Sequence, residues 1–323
     1  MRALICDSYD GWQALRVGEM PDPEPLPGTA RVQVKAAAVN FQDLLLVTGQ
    51  YQIKPELPFV PGNEFAGVIE QVDGLDGFSP GDRVCGFVGT GAMAETAIAY
   101  PGSIIHLPEH IGFDIGASIP VAYGTSYHAL VDRAGLTSDE TLLVLGAAGG
   151  VGLAAIQIGK ALGARVIAAV SSNDKAEAVR AAGADSVIRY DQTPLRDGIS
   201  LETSGRGVDV VYDPVGGGAT ELALRSTNWN GRLLVVGFTS GDIPRIPLNL
   251  ALVKGNSIVG VFWGRFNIEE PDRSAENNRR IMEWVADGTL HPFVQRVYPL
   301  DEALEAMRWV AERKVIGRVV VTP

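Results

Sequence analysis

Hydrophobic patterning divides the chain into stretches of different texture. Beyond Tyr123, short runs that are apolar throughout recur: Thr141–Leu145, Arg165–Val170, Asp185–Ile188, Val208–Tyr212, Leu233–Gly237 and Ile258–Trp263. Ala-rich segments at helical spacing lie between them, including Gly152–Leu162 and Asp174–Ala182. A strand without a polar face is covered on both sides, so this alternation predicts a parallel sheet with helices on either face. Up to about Pro120 the texture is mostly β. Ala30–Val39 alternates, and Glu64–Val72 and Arg83–Val88 are short apolar runs broken by Gly, Pro and Asp. Pro21–Gly28 holds too many prolines for a helix or a central strand and predicts an extended surface connection. After about Arg265 the texture is mixed again: a charged helix at Glu276–Ala286, a strand, a helix from Asp301 and a closing strand at Gly317–Val321.

The strongest local signal sits where Thr141–Leu145 runs into Ala147-x-Gly149-x-x-Gly152 and an Ala-rich helix begins. A glycine bend between a buried strand and a helix, followed by another strand, is the setting in which a Rossmann domain holds a dinucleotide diphosphate. Gly149 lets the backbone approach the anion, and Gly152 lets the helix pack closely on the strand. The unpaired N–H groups of the first helical turn then face the diphosphate. Ala148, Gly149, Gly150 and Val151 are the candidate contacts. Alanine at 147 replaces the first glycine of the usual fingerprint, and the competing reading is a tight turn without a ligand.

Cofactor choice turns on the end of the next strand. An NAD site usually carries an acid there, about 20 residues beyond the glycines, to hold the ribose 2′-hydroxyl. This chain reads Ala169-Val170-Ser171-Ser172-Asn173-Asp174-Lys175. Two small hydroxyl side chains leave room for a 2′-phosphate, and Lys175 brings a charge of the right sign. Asp174 reads as an early helix residue. NADPH is favoured over NADH, with a solvated helix lysine as the competing reading for Lys175.

Bulk properties narrow the classes. At 323 residues the chain exceeds what one core usually supports, which predicts two domains. The formal charge of -11 argues against nucleic acid or an anionic membrane as the main partner. No apolar run approaches the roughly 20 residues of a membrane helix, and the start lacks a signal-peptide pattern. Cys6 and Cys85 read as reduced core thiols, and a cytoplasmic location is expected. None of the four histidines, His106, His110, His128 and His291, pairs with a cysteine in a ligand motif. Surface or capping roles are expected for all four, and no metal site.

Taken in order, several motifs resemble one family from Arg2 onward. They are Asn40-Phe41-x-Asp43 with Gly49-x-Tyr51, Pro61-Gly62-Asn63-Glu64-Phe65-Ala66-Gly67 and Pro80-Gly81-Asp82-Arg83-Val84. Ala147-Ala148-Gly149-Gly150-Val151-Gly152, Asp213-Pro214-Val215-Gly216-Gly217 and Val236-Gly237-Phe238 follow. The family is the zinc-free quinone oxidoreductases, the zeta-crystallin-like branch of the medium-chain dehydrogenase/reductase superfamily. Zinc-dependent relatives carry a cysteine where Asn40 stands and a histidine where Asn63 stands. The resemblance implies an α/β fold in which a Rossmann NADPH-binding domain, residues 122–263, is inserted in a GroES-like, mostly β catalytic domain. That domain is residues 1–121, completed by 264–323, with the active site in the cleft between domains.

By the same resemblance, Ser171, Lys175 and Tyr190 form the adenosine-phosphate pocket. Val215, Phe238 and the Phe262-Trp263-Gly264 segment contact the cofactor, and Thr125 lies beside the nicotinamide. For Phe262 and Trp263 the alternative is a buried edge-strand aromatic pair. A homodimer pairing through the edge strand Ser257–Phe262 is also implied. The expected chemistry is hydride transfer to a quinone or an α,β-unsaturated carbonyl compound. Donors must meet the charge that grows on the carbonyl oxygen, and Asn40, Asp43 and Tyr51 are the candidate catalytic residues. Their plainer readings are a helix cap, a first-turn acid and an aromatic plug. Enoyl-thioester reduction, with Arg265, Arg273, Arg279 and Arg280 at a basic mouth, is a second enzymatic reading. A cofactor-binding or crystallin-like protein without turnover is the third.

Overall fold

The computed structural model describes residues 1–323. The chain forms two compact units, one of Met1–Val121 with Pro292–Pro323 and one of Ala122–His291. The first unit begins with β1 (Arg2–Ile5), β2 (Arg16–Glu19), β3 (Thr29–Ala38), helix α1 (Phe41–Val47) and β4 (Glu64–Asp73). It continues through β5 (Arg83–Phe87), β6 (Thr96–Ala99), β7 (Ile104–His106) and α2 (Phe113–Ala117). Helix α3 (Pro120–Tyr127) leads into the second unit. There β8 (Thr141–Val144), α4 (Gly150–Ala161), β9 (Arg165–Val170), α5 (Asn173–Ala181) and β10 (Ser186–Arg189) alternate. Next come α6 (Leu195–Glu202), β11 (Val208–Asp213), α7 (Gly217–Arg225), β12 (Thr227–Val235), α8 (Asn249–Lys254) and β13 (Ser257–Gly260). After α9 (Trp263–Glu269) and α10 (Pro271–Ala286), β14 (Val294–Pro299), α11 (Ala303–Ala311) and β15 (Arg318–Thr322) return to the first unit.

The second unit is a six-stranded sheet in the order β10-β9-β8-β11-β12-β13, with every pairing parallel. This is the doubly wound order whose ligand crevice opens at the carboxyl ends of the central strands, where the winding reverses between β8 and β11. The sequence explains the burial: Leu142, Leu143 and Val144 are buried, as are Val166 to Val170 and Val210 to Tyr212. In the first unit, β14-β15-β3-β4-β5-β7 form the main sheet path and β6 pairs with β3. Its core gathers Leu4, Ile5, Val34, Phe65 and Met93 with Met307, Val319 and Val321 of the tail. Each buried tail valine contributes roughly 1.5–3 kcal/mol of hydrophobic stabilisation, so the tail is integral to this unit. Both cysteines are buried and unbridged, and no helix is long and apolar enough to cross a membrane.

Three expectations need correction. The stretch 264–291 packs with the second unit instead of completing the first. Phe266 of α9 stacks on His128, with ring centroids 3.9 Å apart, and Asn277 of α10 donates to Asp132 at 2.7 Å. His128 is therefore neither a surface nor a capping residue. It is buried, with Nδ1 2.8 Å from the Asp132 carboxylate. Thirdly, the run Ile258–Trp263 is not one strand. Pairing with β12 ends at Val235 opposite Gly260, because Val236 and Gly237 turn to donate to the Asp213 carbonyl. Phe262 is exposed just before α9, and Trp263 starts that helix, buried against Gly124. A Cβ on Gly124 would lie 2.7 Å from the indole, so this close approach requires glycine.

Candidate functional site

In the second unit the glycine bend joins the end of β8 to α4. The helix starts at Gly150, two residues before the predicted start, with Gly149 as its N-cap. The Leu153 N–H donates to the Gly149 carbonyl at 2.8 Å as the first helical bond. The N–H groups of Gly150, Val151 and Gly152 precede that bond and have no carbonyl of the helix to reach. Gly152 sits so close to the strand end that a Cβ there would lie 2.5 Å from the Gly146 carbonyl oxygen and 2.6 Å from that of Ala147. A Cβ on Gly149 would meet nothing closer than 3.5 Å. One glycine is thus required by packing, and the other leaves space above the helix start. The arrangement fits a bound diphosphate.

Thr125 lies in α3, half-buried, beside Ser126. The Ser126 hydroxyl donates to the Val151 carbonyl at 2.9 Å and shares a 2.9 Å hydrogen bond with the Tyr212 hydroxyl. It therefore fixes α3 to the first turn of α4 and to β11. At the end of β11, buried Asp213 organises the next loop: Oδ1 accepts from the N–H groups of Val215 at 2.8 Å and Gly216 at 3.0 Å, and Oδ2 from Thr220 Oγ1 at 2.5 Å. Thr239 and Ser240 N–H groups donate to the carbonyls of Pro214 and Val215, which sets Phe238 beside that loop. Sequence reasoning missed Ser126 and Tyr212, which have no motif of their own.

The other end of the cradle forms where β9 and β10 finish side by side. Arg189 pairs with Val170 in register, and the Tyr190 N–H donates to the Val170 carbonyl at 3.1 Å. Ser171 and Tyr190 are the residues that directly follow these paired strand ends. Ser172 caps α5, accepting from the Lys175 N–H at 3.4 Å, and Asp174 stands in that helix's first turn. Arg189 holds Asp191 through two bonds of 2.7 and 2.6 Å and donates to Asn173 Oδ1 at 2.9 Å. It is a second cation at this strand end that the spacing argument did not identify.

The first unit holds a buried polar network. Asp43, in the first turn of α1, is fully buried, accepting from the N–H groups of Asn40 at 2.7 Å and Gly62 at 3.1 Å. Burial pushes its carboxyl up to about 6, against the two N–H bonds and the Arg318 charge, which pull it down. Asn40 is committed on all sides: Nδ2 donates to Asn63 Oδ1 at 2.7 Å and to Glu64 Oε1 at 2.8 Å, while Oδ1 accepts from Arg318 Nη1 at 2.7 Å. It has no hydrogen left for a substrate oxygen, so its role is positioning rather than donation. Arg318 Nη2 also donates to Glu64 Oε1, and Glu64 Oε2 accepts from the Val121 N–H at 2.8 Å. Burial pulls the Arg318 guanidinium down to about 10, so it remains a cation at neutral pH. Asn63 Nδ2 donates onward to Gln42 Oε1 at 2.7 Å. Tyr51 is half-buried, and burial followed by the Asp43 charge raises its hydroxyl, keeping it protonated. Motifs brought out Asn40, Asp43 and Asn63. The pairing of Glu64 with Arg318 carried no local signal.

Two family models match in sequence: "Alcohol dehydrogenase GroES-like domain" over residues 26–109 and "Zinc-binding dehydrogenase" over residues 150–279. Quinone oxidoreductase-like protein 2 of Mus musculus is 37% identical over 324 residues, covering 99% of this chain and 92% of the relative. A probable oxidoreductase from Mycobacterium abscessus superposes with a TM-score of 0.91 at 37% identity, covering 100% of this chain and 99% of that one. The Escherichia coli quinone oxidoreductase, complexed with NADPH, gives a TM-score of 0.92 at 28% identity with both chains fully covered (100% each). With the parallel sheet wound around a glycine bend and both family models in the expected order, the chain is an oxidoreductase of the medium-chain dehydrogenase/reductase superfamily, in its quinone oxidoreductase (zeta-crystallin-like) branch.

Proposed function

We propose that this protein uses NADPH to reduce quinones or α,β-unsaturated carbonyl compounds, without zinc. The observation that carries the reading is the cradle of the second unit: open N–H groups at Gly150 and Val151, Ser171 and Tyr190 just beyond the joined ends of β9 and β10, and Lys175 in the first turn of α5. When bound, the reduced nicotinamide supplies the hydride. The chain's part is to orient cofactor and substrate and to meet the charge that reaches the carbonyl oxygen. For a quinone the balance is one hydride and one proton taken up to give a hydroquinone; for an enone, hydride adds at the β-carbon and the proton follows. Tyr51, protonated at neutral pH, is the proposed proton or hydrogen-bond donor, with Asn40 and Asp43 in positioning roles, Asp43 tying the backbone at Asn40 to that at Gly62. Thr125, Val215, Phe238, Phe262 and Trp263 are the proposed contacts toward the nicotinamide.

The positions where zinc-dependent relatives carry cysteine and histidine hold Asn40 and Asn63, whose amides bond to each other and to charged or amide partners. That donor set suits hydrogen bonding better than zinc ligation. Domain boundaries follow the compact units, a cytoplasmic location is retained, and a homodimer through the exposed edge of β13 completes the proposal. The enoyl-thioester reading gains no support. Arg265 pairs with Glu269, Arg273 with Asp132 and Glu270, and Arg279 and Arg280 with Glu283. Mixing the protein with NADPH and either 1,4-benzoquinone or 2-cyclohexenone should consume the reduced cofactor. Absence of turnover with a wide panel of such electrophiles, despite NADPH binding, would refute the reductase.

A further inference from the structure

The buried amides of the first unit form a chain with a defined direction. Arg318 only donates, so the oxygen of the Asn40 amide faces it, and Glu64 only accepts, so the nitrogen faces that carboxylate. With Asn40 fixed this way, its Nδ2 donates to Asn63 Oδ1, and Asn63 Nδ2 donates to Gln42 Oε1. The two ions therefore orient three amides in succession. Asn40 and Asn63 are 6% and 3% exposed, whereas Gln42, at the second position of α1, is half-buried. Gln42 Nε2 makes no hydrogen bond within the protein and is not a buried orphan, so it faces solvent.

An ordinary surface glutamine keeps both ends of its amide in water. Here one end is anchored at 2.7 Å to a buried residue, and the rotamer freedom given up has to be offset by something. The chain begins at a buried cation, and each bond polarises the next in a low-dielectric setting, which strengthens the last donor. An anchored, polarised N–H with an open face matches a carbonyl oxygen that gains negative charge. We infer that Gln42 is a further catalytic residue, donating from Nε2 to the substrate carbonyl oxygen, at the open end of an amide relay from Arg318 through Asn40 and Asn63. This assignment rests on the reductase reading, and it fills the donor role that Asn40 has no hydrogen to fill.

The test compares Gln42→Leu with Gln42→Glu in the full chain. Leucine removes the donor. Glutamate keeps an oxygen for Asn63 but puts a negative charge where the substrate oxygen becomes negative. With 1,4-benzoquinone and 2-cyclohexenone, kcat should fall about 100-fold in Q42L and further in Q42E, with NADPH binding unchanged in both. A purely structural glutamine gives the opposite order, because Q42E preserves the Asn63 bond; wild-type kcat in Q42E, or in Q42L, overturns the assignment. A second measurement separates this inference from the reductase reading. In 15N-labelled protein without NADPH, the Gln42 side-chain NH2 signals, identified by their loss in Q42L, should shift on titration with 2-cyclohexenone. A shift without any turnover keeps the contact and discards the reductase; turnover without a shift discards Gln42; neither discards both.

Discussion

In the proposed cofactor site, the choice between the two nicotinamide dinucleotides falls to the Lys175 ammonium group. Charge-assisted hydrogen bonds contribute about 1.5–3 kcal/mol, so Lys175→Ala should weaken NADPH binding by roughly 10- to 100-fold and leave NADH nearly unaffected. Calorimetry with both cofactors decides it, and equal losses would remove Lys175 from the 2′-phosphate pocket. Asp43 makes a prediction of another kind. Its carboxyl titrates at about 6 in the fold against an ordinary 3.8, so folding takes up a proton between those values. Its contribution to stability is full below 3.8 and is lost as pH rises through about 6, a difference of about 3 kcal/mol. Asp43→Asn lacks this titration, although its single oxygen leaves one of the two N–H partners unpaired. Urea unfolding from pH 4 to pH 7 should show wild type losing more stability than D43N, and parallel curves would refute it. At this scale the sequence reveals groups whose meaning is local: a serine and a lysine just after a strand, an acid three residues after an asparagine. It conceals Arg318 and Glu64, which are 254 residues apart and meet only through the sheet pairing of β15 with β3 and β3 with β4.

Elements were most legible where a buried strand leaves no polar alternative. The β8 and β9 runs lie within a residue of their predicted spans because every position but the first is buried. The end of β13 was illegible because Val261, Phe262 and Trp263 continue the apolar run while the backbone leaves the sheet. Hydrophobicity does not track the strand there: Phe262 is exposed, and Trp263 is buried against Gly124 of α3. The two glycines of the bend separate packing from binding. Gly152→Ala drives a Cβ into two backbone oxygens that cannot rotate away, and should cost about 1–3 kcal/mol in denaturant unfolding. Gly149→Ala has room at an ordinary φ of -76° and should leave stability near wild type while weakening NADPH binding. Similar stability losses in both would mean that the bend serves packing alone.

For the whole molecule, β13 leaves an unpaired sheet edge at Ser257–Gly260. Trp229, Leu248, Leu252 and Val253 are exposed on β12, on α8 and on the residue preceding α8, with Leu252 82% accessible. An open strand edge close to exposed apolar side chains calls for a cover. Light scattering should give twice the 34.3 kDa chain mass, and Ile258→Lys, which charges that edge, should shift it toward a single chain. A monomeric wild type would refute the dimer. The two-domain plan was legible in the change of texture near Pro120. The packing of 264–291 with the second unit was not, because it rests on particular contacts of His128, Asp132 and Gly124 rather than on any change of pattern.

The ion pair that closes the buried network also imposes an order on synthesis. Translation releases Glu64 and Asp43 long before Arg318 exists, and all of residues 122–291 must be made in the interval. The second unit is continuous in sequence, so a growing chain can complete it while the first still lacks β14, β15 and the guanidinium that compensates its carboxylates. Nascent chains stalled with 122–291 outside the ribosome should therefore resist protease within that stretch while 1–121 is still cut. Early protection of 1–121 would show that the lone carboxylates are tolerated, protonated or otherwise, before their cation arrives.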